Sequence, residues 1–83
     1  MDYTEIESAL LGFLKNEIFD PGVEIRADTQ LIAAGLDSFS LLRVLLFIEK
    51  TFGLRIPEAE INEERMSSVK NMAGLINELR QNK

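Results

Sequence analysis

The stretch "AAGLDSFSLLRVLL", residues 33–46, decides the fold that this chain of 83 residues is expected to adopt. It places Asp37 and Ser38 between a glycine and a long apolar run. Aspartate is a favoured N-cap, because its carboxylate accepts a hydrogen bond from a free backbone N–H group of the first helical turn. The stretch therefore predicts a helix over residues 39–51, for which Asp37 is a good N-cap. If Asp37 is the N-cap, Ser38 is the first helical residue. Gly53 is expected to end this helix.

The segment before this stretch predicts a first helix. Its apolar side chains recur at helical spacing: Ile6, Leu10, Phe13 and Leu14. Thr4 followed by Glu7 fits a capping box, so this helix is expected to begin just after Thr4. The sequence "DPG", residues 20–22, ends it. Residues 23–36 are expected to form a long ordered connection, with one helical turn near residues 29–33.

The segment after the stretch predicts a last helix. Pro57 lies in the connection before it and forbids a continuous helix, while residues 62–66 are expected to form one short helical turn. Ser67 or Ser68 is expected to cap the last helix. Its apolar positions are Val69, Met72, Ala73, Ile76 and Leu79. The chain is therefore expected to be all-α, a small bundle of three main helices plus one short helix, with residues 1–83 forming a single domain.

The composition excludes several classes of function. The chain has no histidine and no cysteine, which removes the Ser-His triads, the usual zinc ligands and any thiol nucleophile. Its net charge is −5 and it has no basic cluster, so binding to nucleic acid is not expected. The longest apolar run, residues 44–48, is far too short to insert in a membrane. The acidic N-terminus does not resemble a secretory signal. The sequence predicts a cytoplasmic protein that is not an enzyme.

The helix over residues 39–51 carries more apolar side chains than one face accommodates. One set forms a sufficient core stripe: Leu41, Val44, Leu45, Ile48 and Phe52. A second set, beside Arg43 and Lys50, lies elsewhere on the helix: Phe39, Leu42 and Leu46. A helix of a small bundle does not bury both faces, so the second set predicts a partner surface. The alternative is that the connection over residues 23–36 covers it. Arg43 is expected either to pair with a partner carboxylate or to be solvated.

The position of Ser38 suits a phosphate ester. A hydroxyl at the first helical position points outward, close to unpaired backbone N–H groups and to the positive end of the helix dipole. That environment favours a negatively charged substituent. The competing interpretation is that Ser38 is itself the N-cap and has no further role.

The sequence "GLDSFSLL", residues 35–42, resembles the signature of the acyl carrier protein family. In that family the signature serine begins the second helix, and its hydroxyl is esterified by the phosphate of 4′-phosphopantetheine. The resemblance covers nearly the whole chain and includes "LIAAGLDS", "IEKTFGLRIP" and the "SSV" before the last helix. It implies a four-helix bundle with phosphopantetheine attached to Ser38 and with Asp37 as the adjacent acid of the motif.

The resemblance also implies a function. The protein is expected to be a stand-alone phosphoprotein carrier that holds an acyl or aminoacyl group as a thioester, since the prosthetic group supplies the thiol that the chain lacks. Its expected partners are a phosphopantetheinyl transferase and acyl-loading and acyl-processing enzymes, and it is expected to be a monomer. The partner-facing residues would be Phe39, Leu42, Arg43 and Leu46. The cargo would retreat between helices, beside Leu41, Leu45, Ile48, Ile61 and Ile76. The sequence leaves open fatty-acid, lipid, polyketide and other secondary metabolism.

The second helix departs from the common family pattern. From residue 38 to residue 52 it carries two positive charges, Arg43 and Lys50, and one negative charge, Glu49, which gives +1. In fatty-acid carriers this helix is distinctly acidic, and a glutamate stands where Arg43 does. We therefore expect a specialised carrier that binds poorly to enzymes with a basic docking patch. The alternative function is a carrier-like helical interaction subunit without a working prosthetic group.

Overall fold

Four α-helices form most of the computed structural model, which describes residues 2–81. The helices are α1 (Tyr3–Phe13), α2 (Leu31–Ala34), α3 (Ser38–Phe52) and α4 (Val69–Gln81). A π-helix, Leu14–Ile18, continues α1, and a 3₁₀-helix, Glu58–Glu60, lies between α3 and α4. No strand occurs within residues 2–81. The expectation of an all-α bundle with three main helices and one short one is confirmed.

The first helix begins earlier than the sequence predicts. The Asp2 carboxylate accepts a hydrogen bond of 2.9 Å from the Glu5 N–H group, and the Glu5 carboxylate accepts one of 3.1 Å from the Asp2 N–H group. These reciprocal bonds form a capping box two residues before the Thr4 and Glu7 pair. The predicted start after Thr4 is wrong because aspartate caps helices better than threonine does.

The long connection before α3 is tied to the start of α4 through the backbone. The Leu31 N–H group donates to the Ser67 carbonyl at 2.9 Å, and the Lys70 N–H group donates to the Ala27 carbonyl at 2.8 Å. The helical turn expected near residues 29–33 is present as α2. It ends at Gly35, whose φ of 119° lies in the left-handed region that glycine adopts without strain.

Arg65 links the connection between α3 and α4 to α4 itself. Arg65 donates to the Glu60 carboxylate at 3.2 Å and to the Glu78 carboxylate on α4 at 2.5 Å. The expected turn over residues 62–66 is present, with the Met66 N–H group bonded to the Asn62 carbonyl at 3.0 Å. The Glu58–Glu60 helix was not predicted. Of the two serines considered as caps of α4, Ser68 is the one whose hydroxyl accepts the Asn71 N–H group, at 3.1 Å.

The core draws unequally on the helices. Helix α3 contributes only two fully buried side chains, Val44 and Ile48, while Leu41, Leu45 and Phe52 pack partly buried around the core. Helix α4 contributes five, of which Leu75 was not predicted: Val69, Met72, Ala73, Leu75 and Ile76. Leu79 is only partly buried. The bundle therefore leaves much of the α3 surface uncovered.

Candidate functional site

The N-terminus of α3 is built by Asp37. Its Oδ1 atom accepts the Ser40 N–H group at 2.8 Å, and its backbone carbonyl accepts the Leu41 N–H group at 2.9 Å. The bond from the Ser40 backbone lowers the pKa of the Asp37 carboxyl below its usual value, and the Ser40 hydroxyl adds to the effect. Asp37 is thus the N-cap and Ser38 the first residue of α3. The alternative, in which Ser38 is the N-cap, is wrong.

The Ser38 hydroxyl is open to solvent. Ser38 is exposed, and its side chain makes no hydrogen bond to any residue within 2–81. It stands beside the free N–H groups of the first helical turn, at the positive end of a helix of 15 residues. Because no other side chain engages the oxygen, it is available to an external electrophile.

A cleft of about 370 Å³ adjoins Ser38. Its walls are apolar and come from both sides of the site: Ile32, Leu36, Leu41 and Met66. Asp37, Ser38 and Glu63 supply its polar rim. A second cleft of about 260 Å³, also lined by Ile61, shares several of these walls. The two clefts share four lining residues, and we call them together the apolar trough beside Ser38.

The residues expected to line a cargo space divide into two groups. Leu41 and Ile61 line the trough, as expected. Ile48 and Ile76 are fully buried in the core, and the partly buried Leu45 lines neither cleft. The trough therefore lies nearer the surface than the sequence suggested. Sequence reasoning missed five of its residues, because no local pattern joins the α2 region to the segment before α4: Ile32, Leu36, Asn62, Glu63 and Met66.

The second apolar set of α3 is exposed. The exposed fractions are 71% for Phe39, 53% for Leu42 and 49% for Leu46. The connection over residues 23–36 does not cover them, so that alternative is wrong. Ile32 on α2 is also 56% exposed, and it was not singled out because its segment has no sustained helical period. A contiguous exposed apolar surface on a small protein usually marks a site of interaction.

Arg43 is engaged within the chain itself. Its Nη1 atom donates to the Glu17 carbonyl at 3.0 Å, and its Nη2 atom lies 3.8 Å from the Glu17 Oε1 atom. Neither alternative considered from the sequence describes it fully. Arg43 joins α3 to the π-helix after α1, yet its side chain keeps an exposed fraction of 41%. The signal that was missed is a contact between residues 26 positions apart.

Comparison with known protein families identifies the family of the chain. The model of a family described as "phosphopantetheine attachment site" matches residues 9–76, which include the whole Ser38 region. The chain belongs to this family. Members are non-catalytic carrier domains, and the prosthetic group of the family is phosphopantetheine. The resemblance to acyl carrier proteins is confirmed at this level.

Solved structures of carrier proteins have the same fold. One is the carrier chain in the crystal structure of Bradyrhizobium japonicum glycine:[carrier protein] ligase complexed with glycylated carrier protein. It has 23% identity and a TM-score of 0.69, with coverage of 88% of this chain and 96% of that chain. A second is the carrier chain in the crystal structure of the same ligase complexed with cognate carrier protein and an analogue of glycyl adenylate. It has 22% identity, a TM-score of 0.72, and coverage of 92% and 96%. No curated protein matches the chain.

The residues at the start of α3 fit a phosphopantetheine group. A phosphodiester needs an accessible hydroxyl for its attachment, and its negative charge is stabilised at a helix N-terminus. Ser38 has such a hydroxyl and is the first residue of α3. The pantetheine part is mostly apolar with two amides, and the trough beside Ser38 is apolar with a polar rim. Within residues 2–81 no helix has the length and apolar character needed to cross a bilayer.

Proposed function

We propose that the protein is a stand-alone carrier with 4′-phosphopantetheine attached to Ser38, and that it presents an acyl or aminoacyl group to biosynthetic enzymes. The observation that carries this proposal is the exposed, unpaired Ser38 hydroxyl at the first residue of α3, inside the region that matches the family. We propose further that residues 1–83 form one carrier domain and act as a monomer.

The chain's own residues have separate tasks in this proposal. Asp37 fixes the first turn of α3 through Ser40, so the backbone of Ser38 is held at the start of the helix. The free N–H groups of that turn stabilise the negative charge of the phosphodiester. The trough walls shelter the arm from water. When bound, the prosthetic group supplies the thiol that carries the cargo as a thioester, a group that this cysteine-free chain does not have.

The proposed partners follow from where the cargo is tethered. A phosphopantetheinyl transferase must reach Ser38, and loading and processing enzymes must reach the arm that Ser38 holds. All of them approach the N-terminal end of α3, so we assign Phe39, Leu42, Arg43 and Leu46 to the surface that meets them. The glycylated carrier from Bradyrhizobium japonicum supports an aminoacyl cargo as one form of this function.

Modification of Ser38 is tested by intact mass spectrometry. The apo-protein is incubated with coenzyme A, Mg²⁺ and a broad-specificity phosphopantetheinyl transferase. We expect one addition of the prosthetic group, absent in Ser38→Ala and retained in Ser40→Ala, a matched serine two residues away on the same helix. An addition that survives Ser38→Ala contradicts the assignment. No addition with several transferases favours the alternative, an interaction subunit without a working prosthetic group.

A further inference from the structure

One line of side chains on α3 alternates between apolar and cationic residues. The line consists of Phe39, Arg43, Leu46 and Lys50, and we call it the α3 stripe. Spacings of four, three and four residues place these side chains on one face of a helix. At 1.5 Å per residue the stripe is about 16 Å long. The stripe begins at the residue after Ser38. A protein that engages the arm on Ser38 therefore lies close to the stripe.

The stripe is accessible along its length. Phe39 and Leu46 are exposed, and the Arg43 side chain keeps an exposed fraction of 41% despite its bond to Glu17. Lys50 is exposed, and among residues 2–81 its ammonium group has no carboxylate or carbonyl partner. Both cations can therefore pair with an additional anion. The one ion pair already present, between Arg43 and Glu17, is long, at 3.8 Å.

A groove beside the stripe has an aromatic floor. The rings of Phe13 and Phe47 stack with their centroids 4.3 Å apart. With Arg43, Leu46 and Lys50 they line a groove of about 320 Å³. An apolar side chain fits this floor, and the two cations at its edge favour a negative charge next to that side chain.

The charge of α3 runs against the charge of the whole chain. The protein carries −5, while residues 38–52 carry +1. A lipid or nucleic acid surface is extended and meets the negative charge of the whole chain, whereas a short acidic segment meets only the local charge of α3. A second copy that docks through the same face presents the same two cations. A protein surface with a few carboxylates around an apolar residue satisfies both the groove and the cations.

From this juxtaposition we infer that the α3 stripe docks an acidic amphipathic segment of a partner enzyme. The segment's apolar residue rests on Phe13 and Phe47, and its carboxylates pair with Arg43 and Lys50. The inference rests on the proposed function, because a carrier must orient enzymes toward Ser38. It adds that the partner contributes carboxylates to the contact. An acidic second helix would instead bind a basic patch on its partner.

Two synthetic peptides test this docking by NMR titration of the ¹⁵N-labelled apo-protein. Both are amphipathic helices with the same apolar face, flanked in one by glutamates and in the other by lysines. We expect the glutamate peptide to shift the α3 amides and to bind roughly tenfold more tightly than the lysine peptide, since two exposed ion pairs form. The preference is expected to weaken at high salt.

Charge variants make the test specific. The double variant Arg43→Gln, Lys50→Glu should abolish the preference, whereas Lys70→Glu, an exposed charge reversal on α4, should keep it. If the double variant is unstable, Lys50→Glu alone is the test, because it breaks no contact among the described residues. It should halve the logarithm of the preference for the glutamate peptide. Circular dichroism checks that each variant is folded.

Several results would overturn the inference. These are equal or tighter binding of the lysine peptide, no binding of either peptide, and shifts confined to helices other than α3. Binding to vesicles of phosphatidylcholine with one-fifth phosphatidylserine, or dimerisation through α3 in sedimentation experiments, would assign the stripe to another occupant. None of these readouts needs the prosthetic group, so a failure here is distinct from a failure of Ser38 modification.

Discussion

Helices α3 and α4 have similar lengths and capped N-termini, yet they use their apolar residues differently. Helix α4 buries five apolar side chains, whereas the longer α3 buries only Val44 and Ile48 and exposes Phe39, Leu42 and Leu46. Burying a large apolar side chain contributes about 1.5–3 kcal/mol, and an exposed one contributes much less. The difference indicates that α4 contributes mainly to stability, while a large part of α3 remains exposed apolar surface.

The largest expected effect comes from truncating one side chain on each helix. Ile76→Ala on α4 removes a fully buried side chain and should lower the free energy of unfolding by about 2–5 kcal/mol. Leu46→Ala on α3 removes a half-exposed one and should lower it by less than about 1 kcal/mol. Urea unfolding measures both. Equal losses would erase the contrast between the two helices.

A smaller effect is expected on recognition. Phe39→Ala should lower kcat/KM for phosphopantetheinylation by roughly tenfold, because an aromatic side chain at the centre of a contact often dominates its energy. Val23→Ala, an exposed apolar residue outside α3, serves as the control and should keep the wild-type rate. Both variants should unfold at the wild-type temperature, since each side chain is exposed. An unchanged rate for Phe39→Ala would remove that residue from the proposed partner surface.

The smallest expected effect is the pH dependence of stability, which should differ between the Asp37 cap of α3 and the Ser68 cap of α4. The pKa of Asp37 lies below its ordinary value of 3.8, so its stabilising contribution is complete above that value and is lost as the pH falls through the lower folded pKa. Asp37→Asn keeps a capping side chain that does not titrate. Between about pH 6 and pH 2.5, the melting temperature of the variant should therefore fall by less than that of the wild type.

The cap of α4 provides the comparison for this pH series. Ser68→Ala should lower stability by about 1 kcal/mol at every pH, because a hydroxyl does not titrate. The other carboxylates contribute equally to all three proteins and cancel in the differences. Parallel curves for the wild type and Asp37→Asn would show that the charge of Asp37 does not stabilise α3.

Local sequence patterns predicted the parts of the structure that depend on neighbouring residues. The N-cap at Asp37 and the exposure of Phe39, Leu42 and Leu46 both follow from one helix considered alone. The start of α1 was misplaced because two overlapping pairs satisfy the same capping pattern. The π-helix Leu14–Ile18 was not distinguished from α-helix, since the two differ by less than one residue per turn.

Contacts between distant residues were beyond prediction from the sequence. The trough joins Ile32 to Met66, and Arg43 reaches the Glu17 carbonyl, across separations at which no periodicity operates. The side-chain types at these positions are unremarkable on their own. Only the packing of α1, α3 and the two connections brings them together, so the depth of the trough and the engagement of Arg43 required the structure.

The bonds from Leu31 to Ser67 and from Lys70 to Ala27 use main-chain atoms alone. A substitution at any of these positions, other than by proline at a donor, leaves the bonding groups in place. These hydrogen bonds between the two connections therefore do not depend on the chemistry of the four side chains. The side chains that line the trough can therefore be exchanged, to suit a bulkier or more polar proposed cargo, without removing the hydrogen bonds that join the two connections.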